Sequence, residues 1–231
     1  MKGKIIVAII AAAAALSSCL YQPKPHKTTE TERRGQEIEK FSQIEINGLG
    51  EIHYTRGRTD SLIVEGDPAL VIRTDAKNEG EMLKVDVNYG YKVDMRRHSQ
   101  PVITVQSKRL SRVLAYNRGR FVTLDTLRGE RVRLVADEDG LIDVRAIAAE
   151  EVELTATGNA VIKVGHIEGS RLSVRGYGQG KVSVSTAMTT TADLIGIGKA
   201  EVNVGAVGEL SEGATVNVRE EGAAKVKYRK E

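Results

Sequence analysis

The 231-residue chain has no tryptophan, and phenylalanine stands only at positions 41 and 121. A globular core filled by large rings is thereby excluded, so the core must be built from Val, Ile, Leu and Ala. Cysteine occurs once, as Cys19, and no internal disulfide can staple the fold. The four prolines, at 23, 25, 68 and 101, all lie in the first half. After Pro101 no residue is barred from donating to a strand ladder. Charge of one sign is also lacking. The formal net charge is +3, and such a balance implies no nucleic acid partner and no general attraction to anionic membrane. The one long apolar run, Ile5 to Leu16, is shorter than a typical transmembrane helix. No apolar stripe of helical period follows it, which argues against a parallel sheet covered by helices.

The apolar run follows Lys2 and Lys4 and ends in Leu16-Ser17-Ser18-Cys19. This pattern resembles a bacterial lipobox, in which the cysteine becomes the lipidated first residue of the mature protein. Residues 1–18 are then a lipoprotein signal peptide. Their removal takes away Lys2 and Lys4, leaving 32 basic against 31 acidic residues, a charge of +1. Residues 19–39 comprise the lipidated Cys19 and a polar stretch with Pro23 and Pro25. That stretch has too little apolar surface to order itself and reads as a disordered tether. The anchor makes the membrane a partner through the N-terminal lipid.

What the chain has in abundance is repetition at a period of 20 residues. Val122, Ile142, Ile162, Val182 and Val202 form one column, each followed two residues later by Leu124, Val144, Val164, Val184 and Val204. A second column runs Val132, Val152, Leu172, Ala192, with partners Leu134, Leu154, Val174 and Leu194. Both pairs return as Val216/Val218 and Val226/Tyr228, after four extra residues around Ser211 to Ala214. Alternation makes these columns inward and leaves mixed polar rows outside, among them Arg133 over Glu153 and Asp143 over Lys163. Glycine-bearing turns recur at Asp139-Gly140, Gly158-Asn159, Gly176 to Gly180 and Gly196 to Gly198. A fixed short period means stacked units, none able to bury its apolar face alone. The fold class is therefore all-β: a single-stranded parallel β-helix or β-solenoid of about 20 residues per coil over residues 40–231.

Residues 111–231 hold the regular coils and residues 40–110 irregular ones. In the latter, Leu62/Val64, Leu83/Val85 and Val102/Thr104 stay close to the same rhythm, which suggests degenerate coils of one solenoid. A separate small β domain is the alternative.

Three stretches carry a resemblance to a known family. They are "FSQIEINGLGEIHYTRGRTDSLIVEGD" from Phe41, "VITVQSKRLSRVLAYNRGRFV" from Val102, and "LTATGNAVIKVGHIEGSRLSVRGYGQGKVSV" from Leu154. Behind a lipoprotein signal they resemble the head GIN domain family. This family is also called putative auto-transporter adhesins, is a domain of unknown function, and is common in Bacteroidetes. The resemblance covers about residues 39–231. It implies a right-handed β-helix-like fold and a cell-envelope location. The family has no established catalytic residues, so none is carried over. The small Ser-Gly-Ser-Gly turns of the family are replaced here by Tyr116-Asn-Arg-Gly119, Asp137-Glu-Asp-Gly140 and Thr157-Gly-Asn159.

Few constellations could carry chemistry. His26, His53, His98 and His166 form no metal-ligand motif with one another or with cysteine. Gly176-Tyr-Gly178-Gln-Gly180 joins two strands and is a corner rather than a phosphate loop. Asp137-Glu138-Asp139 reads as a solvated acidic turn, since the neighbouring coils add few calcium ligands. The departure from neutrality is a basic stretch holding Lys92, Arg96, Arg97, Lys108, Arg109, Arg112, Arg118, Arg120, Arg128 and Arg131. Only Asp94, Asp125 and Glu130 oppose these ten, a local balance of +7. Arginine forks suit phosphate, sulfate and carboxylate groups. Lys92, Arg96, Arg97, Lys108, Arg109, Arg112, Arg118 and Arg120 therefore make a candidate anion-binding patch, and a solvated coil edge is the plainer reading.

The expected function is a non-catalytic, lipid-anchored envelope module: an adhesin or a ligand- or glycan-binding domain. Envelope glycan, lipopolysaccharide or another envelope protein are its candidate partners. No metal or other cofactor is implied. The alternatives are a carbohydrate-active lyase or hydrolase, supported by fold analogy alone, and a structural envelope scaffold. Leu20-Tyr-Gln-Pro-Lys24 lacks the acidic run associated with surface export in Bacteroidetes, which favours a periplasm-facing outer-membrane lipoprotein over a surface-exposed one. Replacing Cys19 with Ala is expected to abolish incorporation of a labelled fatty acid in a bacterial host. Persistent labelling of that variant would overturn the lipobox reading.

Overall fold

The computed structural model describes residues 31–87, 100–208 and 215–230. They form an all-β solenoid of about 5 turns with ~20-residue spacing. The strands of the N-terminal half are β1 (Glu32–Gln36), β2 (Gln43–Gly48), β3 (Glu51–Arg56), β4 (Ser61–Gly66), β5 (Thr74–Glu79), β6 (Met82–Val87), β7 (Val102–Ser107) and β8 (Arg112–Tyr116), with a short helix α1 (Pro68–Val71) between β4 and β5. Then come the long strands β9 (Arg120–Ala136), β10 (Leu141–Ala156), β11 (Val161–Gly178) and β12 (Lys181–Gly198), and finally β13 (Glu201–Gly208), β14 (Thr215–Gly222) and β15 (Lys225–Lys230). All fifteen strands belong to one sheet.

From β9 onward each coil lies parallel on the next. Ile142 pairs with Ile162, Ile162 with Val182 and Val182 with Val202. These residues and their partners two positions on are buried, as are Val132, Val152, Leu172 and Ala192. A third inward column lies between the two read from the sequence: Leu127, Ile147, Ile167, Ala187 and Val207, all buried. Each of these apolar residues stands without a bulky partner two positions on, so it carries no strand signature of its own. Tight turns close the circuits. The second residue of each turn has positive φ: Glu138 (56°), Gly158 (65°), Gly178 (66°), Gly198 (84°) and Gly222 (74°). A Cβ on Gly158 would come within 2.9 Å of the Glu138 Cα. The ladder continues through the turns, the amides of Asn159, Gln179, Lys199 and Ala223 donating to Glu138, Gly158, Gly178 and Gly198.

The first rung corrects the 20-residue column. Ile142 pairs with Phe121, not Val122, and Val144 with Thr123. The register then shifts, so that Leu124 and Asp125 together oppose the single residue Arg145 before Leu127 meets Ile147. This is a β-bulge, which adds one residue to one strand and bends it. Phe121 and Thr123 are buried, Val122 is only half-buried, and Leu124 is 75% exposed. Tyr54 stacks on Phe121 with ring centroids 6.0 Å apart. Its hydroxyl donates to the Ser107 carbonyl at 3.3 Å, and burial pushes the phenol above the usual tyrosine pKa.

The N-terminal coils do not stack in chain order. β2 lies between β6 and β8, and β3 between β7 and β9, all parallel. The coil formed by β2 and β3 is thus inserted between two later ones. β4 runs antiparallel to β7, and β5 antiparallel to β6, so Leu62/Val64 do not continue a parallel column. In β7 the inward residues are Ile103 and Val105, whereas Val102 and Thr104 face out. β1 pairs antiparallel with β4. Glu32–Gln36 therefore form an ordered edge strand where a tether was expected. The side chains of Arg34 and Gln36 hold it by donating to the Thr74 and Ala76 carbonyls, which needs no apolar burial. Asp67 caps α1, accepting the Ala69 amide at 2.9 Å, and Leu70 and Val71 of α1 are fully buried.

One apolar core runs from Phe41 to Val207. Among the described residues, the coil of β14 and β15 pairs with β12 and β13 only. Its apolar residues are covered on one side, and Val218 and Tyr228 are 44% and 43% exposed.

The corrected register separates two substitutions. Phe121→Ala should cost about 3–5 kcal/mol in denaturant unfolding, while Leu124→Ala should stay within about 0.5 kcal/mol of the parent. Comparable losses at both positions would restore the register with Val122 and Leu124 inward.

Candidate functional site

The basic stretch read from the sequence does not converge on one place. Lys92, Arg96 and Arg97, like Cys19, lie outside the described residues. Arg112 sits on β8 in register between Gln43 and Arg133, and its Nε is buried without a hydrogen-bond partner. Arg118 occupies the turn after β8 at φ 71° and lines a hollow with Arg73, Asp75 and Asp86. Arg120 leads into β9, with Nε 3.3 Å from the Glu51 carboxylate. That same carboxylate holds His53 Nε2 at 2.6 Å.

Lys108 and Arg109 are exposed just beyond β7, where the stacking order β7, β3, β9 brings a different set of cations together. Register places Arg56 beside Ser107, so the Arg56-Gly57-Arg58 turn meets Lys108. The β9 bulge then swings Asp125 under β3, where its Oδ2 accepts the Arg56 amide at 2.6 Å. Arg56 Nε donates to the Lys108 carbonyl at 3.2 Å. Arg128 completes an open basin of about 640 Å³ lined by Arg56, Arg58, Lys108, Asp125, Thr126 and Arg128. Four cations face one carboxylate. Among the described residues none of the four is ion-paired. Arg56 and Arg58 escape a reading by sequence proximity because they precede Lys108 by some fifty positions. The Arg-Gly-Arg turn was their only local signal.

Several carboxylates of the regular coils are engaged by the next rung. Asp137 accepts the Thr157 hydroxyl and the Glu138 amide, and Asp139 accepts from Asn159 Nδ2 at 3.2 Å. The acidic turn thus braces the turn stacked on it. On the face formed by the second half of each coil, Arg131 donates to Glu151 through Nε (2.7 Å) and its terminal nitrogen, and Arg171 approaches the other Glu151 oxygen at 3.5 Å. Arg133 lies 3.5 Å from Glu153, the rung pair expected from the sequence. Among the described residues no group of three or more His, Cys, Asp or Glu side chains could hold a metal ion.

The profile of the family described as putative auto-transporter adhesin, head GIN domain, matches residues 40–228. The fold is shared with a solved protein described as a putative adhesin from Parabacteroides merdae, at 17% identity and a TM-score of 0.67, covering 88% of this chain and 98% of that one. A protein described as a putative lipid binding protein from Parabacteroides distasonis aligns with the same TM-score and coverage at 15% identity. A putative adhesin from Bacteroides fragilis aligns at 13% identity and a TM-score of 0.60, covering 88% and 99%. No curated protein matches the chain.

The Arg131 hydrogen bonds hold the Glu151 carboxyl below the usual glutamate pKa. Because the folded value lies below the unfolded one, the pair's contribution to stability is in place above the unfolded pKa and fades as pH falls through the folded value. NMR titration should find Glu151 titrating below a free glutamate, with Arg131→Ala moving it back up. A midpoint indifferent to that substitution would remove the pair as the cause.

Proposed function

The chain belongs to the head GIN domain family, and from that premise we propose that it is a non-catalytic, adhesin-type binding module of the cell envelope. It is anchored by a lipid on Cys19 and grips anionic groups at the basic corner. The observation that carries this reading is the corner itself: Arg56, Arg58, Lys108 and Arg128 around an open basin whose one carboxylate already accepts a backbone amide. Guanidinium forks and an ammonium with no ion-pair partner among the described residues form charge-assisted hydrogen bonds with phosphate, sulfate or carboxylate.

Such groups occur on lipopolysaccharide, on acidic glycans, on anionic lipid headgroups and on the surfaces of other envelope proteins. The adhesin descriptions of the related structures support the binding role, and the lipid binding description of one of them fits a headgroup among the possible anions. Binding is also favoured over hydrolysis by the state of the carboxylates. Asp125, Asp137, Asp139 and Glu151 are each held by a neighbouring strand or turn, whereas a glycosidase needs a pair poised across a substrate.

The test is retention of the mature sequence carrying Cys19→Ala, which holds no lipid, on heparin and on vesicles with and without phosphatidylglycerol. The triple variant Arg58→Ala, Lys108→Ala, Arg128→Ala should bind the anionic supports at least about tenfold more weakly, roughly 1.4 kcal/mol. Its melting temperature should be unchanged, since all three side chains are exposed. Undiminished retention in that variant, or no retention of the parent at low salt, would overturn the proposal.

A further inference from the structure

A second surface, apart from the basic corner, is balanced in charge rather than basic. The outward residues of β9 to β12 and β14 stack in rows, one of which runs Arg133, Glu153, Ser173, Asp193 and Asn217 on successive rungs. These rows surround a hollow of about 410 Å³. Its charged lining is balanced: Arg131, Arg171 and Arg175 against Glu151, Glu153 and Asp193. Ser173 lies in it only 7% exposed although it points outward, and its hydroxyl oxygen is buried with no hydrogen-bond partner. An unsatisfied buried hydroxyl is destabilising, and a ligand supplying the missing partner would recover that loss. Asn217 Nδ2 donates to Asp193 Oδ1 at 2.8 Å, leaving a second Asp193 oxygen and the Asn217 carbonyl oxygen to a ligand.

The chemistry of the hollow narrows what fits. Balanced charge disfavours both an anion and a cation. The strands that carry Glu153, Ser173 and Asp193 are hydrogen-bonded on both sides there, so no peptide can add to them through its backbone; β14, paired among the described residues with β12 alone, ends the stack. The lining holds no aromatic residue, and its one apolar member, Val152, is buried; of the anchors that dominate protein interfaces it has only arginine, and two of its three arginines are already tied to Glu151. What remains is a row of donors and acceptors repeating at the strand spacing of about 4.8 Å, close to the length that one pyranose adds to an extended glycan.

We propose that this hollow is a subsite for an uncharged, extended glycan lying across the strands, its hydroxyls met in turn by Glu153, Ser173, Asp193 and Asn217. The inference rests on the reading of the protein as a binding module, but on neither the residues nor the ligand charge of the basic corner.

The probes are the neutral hexasaccharides of β-1,4-linked glucose, mannose and N-acetylglucosamine, with a heparin hexasaccharide as the anionic control, titrated into the 15N-labelled mature protein. At least one neutral probe should shift the amide signals around Ser173, Asp193 and Asn217, with a Kd on the order of 1 mM that is insensitive to salt. Asp193→Ala should weaken it at least about tenfold. Ser173→Ala should weaken it too while leaving the melting temperature equal or higher, an outcome that a merely structural serine would not give. The triple corner variant should bind the neutral probe as the parent does. Shifts from the heparin probe alone, lost in the corner variant, would overturn this subsite and leave the module reading standing. A neutral probe that binds the Asp193 and Ser173 variants unchanged would also overturn it.

Discussion

In-register parallel stacking is the constraint on which the rest of this molecule depends. Every residue of a regular coil lies one strand spacing from its counterpart 20 residues away, so a choice at one position is a choice about a whole column. Inward columns must hold residues that pack against their own kind, which favours the flat, branched surfaces of Val and Ile. Turn columns must share one backbone conformation. The column of positive φ is filled by glycine in four coils, by Glu138 in one and by Asn117 in the turn before it. A single added residue is tolerated only where it leaves the ladder, as at Leu124 and Asp125. The four extra residues near the C-terminus obey the same rule. Met188 still pairs with Gly208 at an offset of 20, and Thr191 with Thr215 at an offset of 24, so the insertion falls entirely between two ladders.

That constraint also decides what could be read from the sequence. Columns with an apolar partner two residues on were legible from Ile142 to Val204, because alternation and period reinforce one another. The column of Leu127, Ile147 and Ile167 was not, since each is a single apolar residue among polar or small neighbours. At the first coil the run Phe121-Val122-Thr123-Leu124 admits two registers, and a bulge rather than the period chooses between them. The N-terminal half is opaque for a different reason. Gln43 pairs with Met82 on one side and Arg112 on the other, separations that no 20-residue search can find. The same non-sequential order scattered the basic stretch and assembled a corner from Arg56, Arg58, Lys108 and Arg128. Sequence proximity is a guide to spatial proximity only where coils stack in chain order.

Stacking places a further demand on charge. Two like charges about one strand spacing apart repel by about 1 kcal/mol even in bulk water, and a column of them compounds the cost. Charged columns along β9 to β13 therefore alternate in sign or turn neutral. Arg131, Glu151 and Arg171 alternate before the row passes to Thr191 and Thr215. Lys181, Glu201 and Lys225 alternate likewise, with 3.2 Å between Lys181 and Glu201. Arg112 over Arg133 is a like pair, offset in part because Arg133 reaches Glu153 on its other side.

Against that background, a charge without a rung partner carries information. Outward cations such as Arg131, Arg133 and Lys181 are answered by the coil beside them, so their presence implies nothing about a ligand. The cations of the corner stand where the ladder is broken by a turn at Arg56-Gly57-Arg58 and by a bulge at Leu124-Asp125, and no rung answers them. The groove around Ser173 departs in the other sense. Its positive and negative side chains are equal in number, and the buried unmet group is a neutral hydroxyl. The two surfaces thus differ in the kind of valence left open, one ionic and one of hydrogen bonding alone. In a fold whose regular coils satisfy themselves, those open valences, rather than the repeats, mark where the molecule can hold something else.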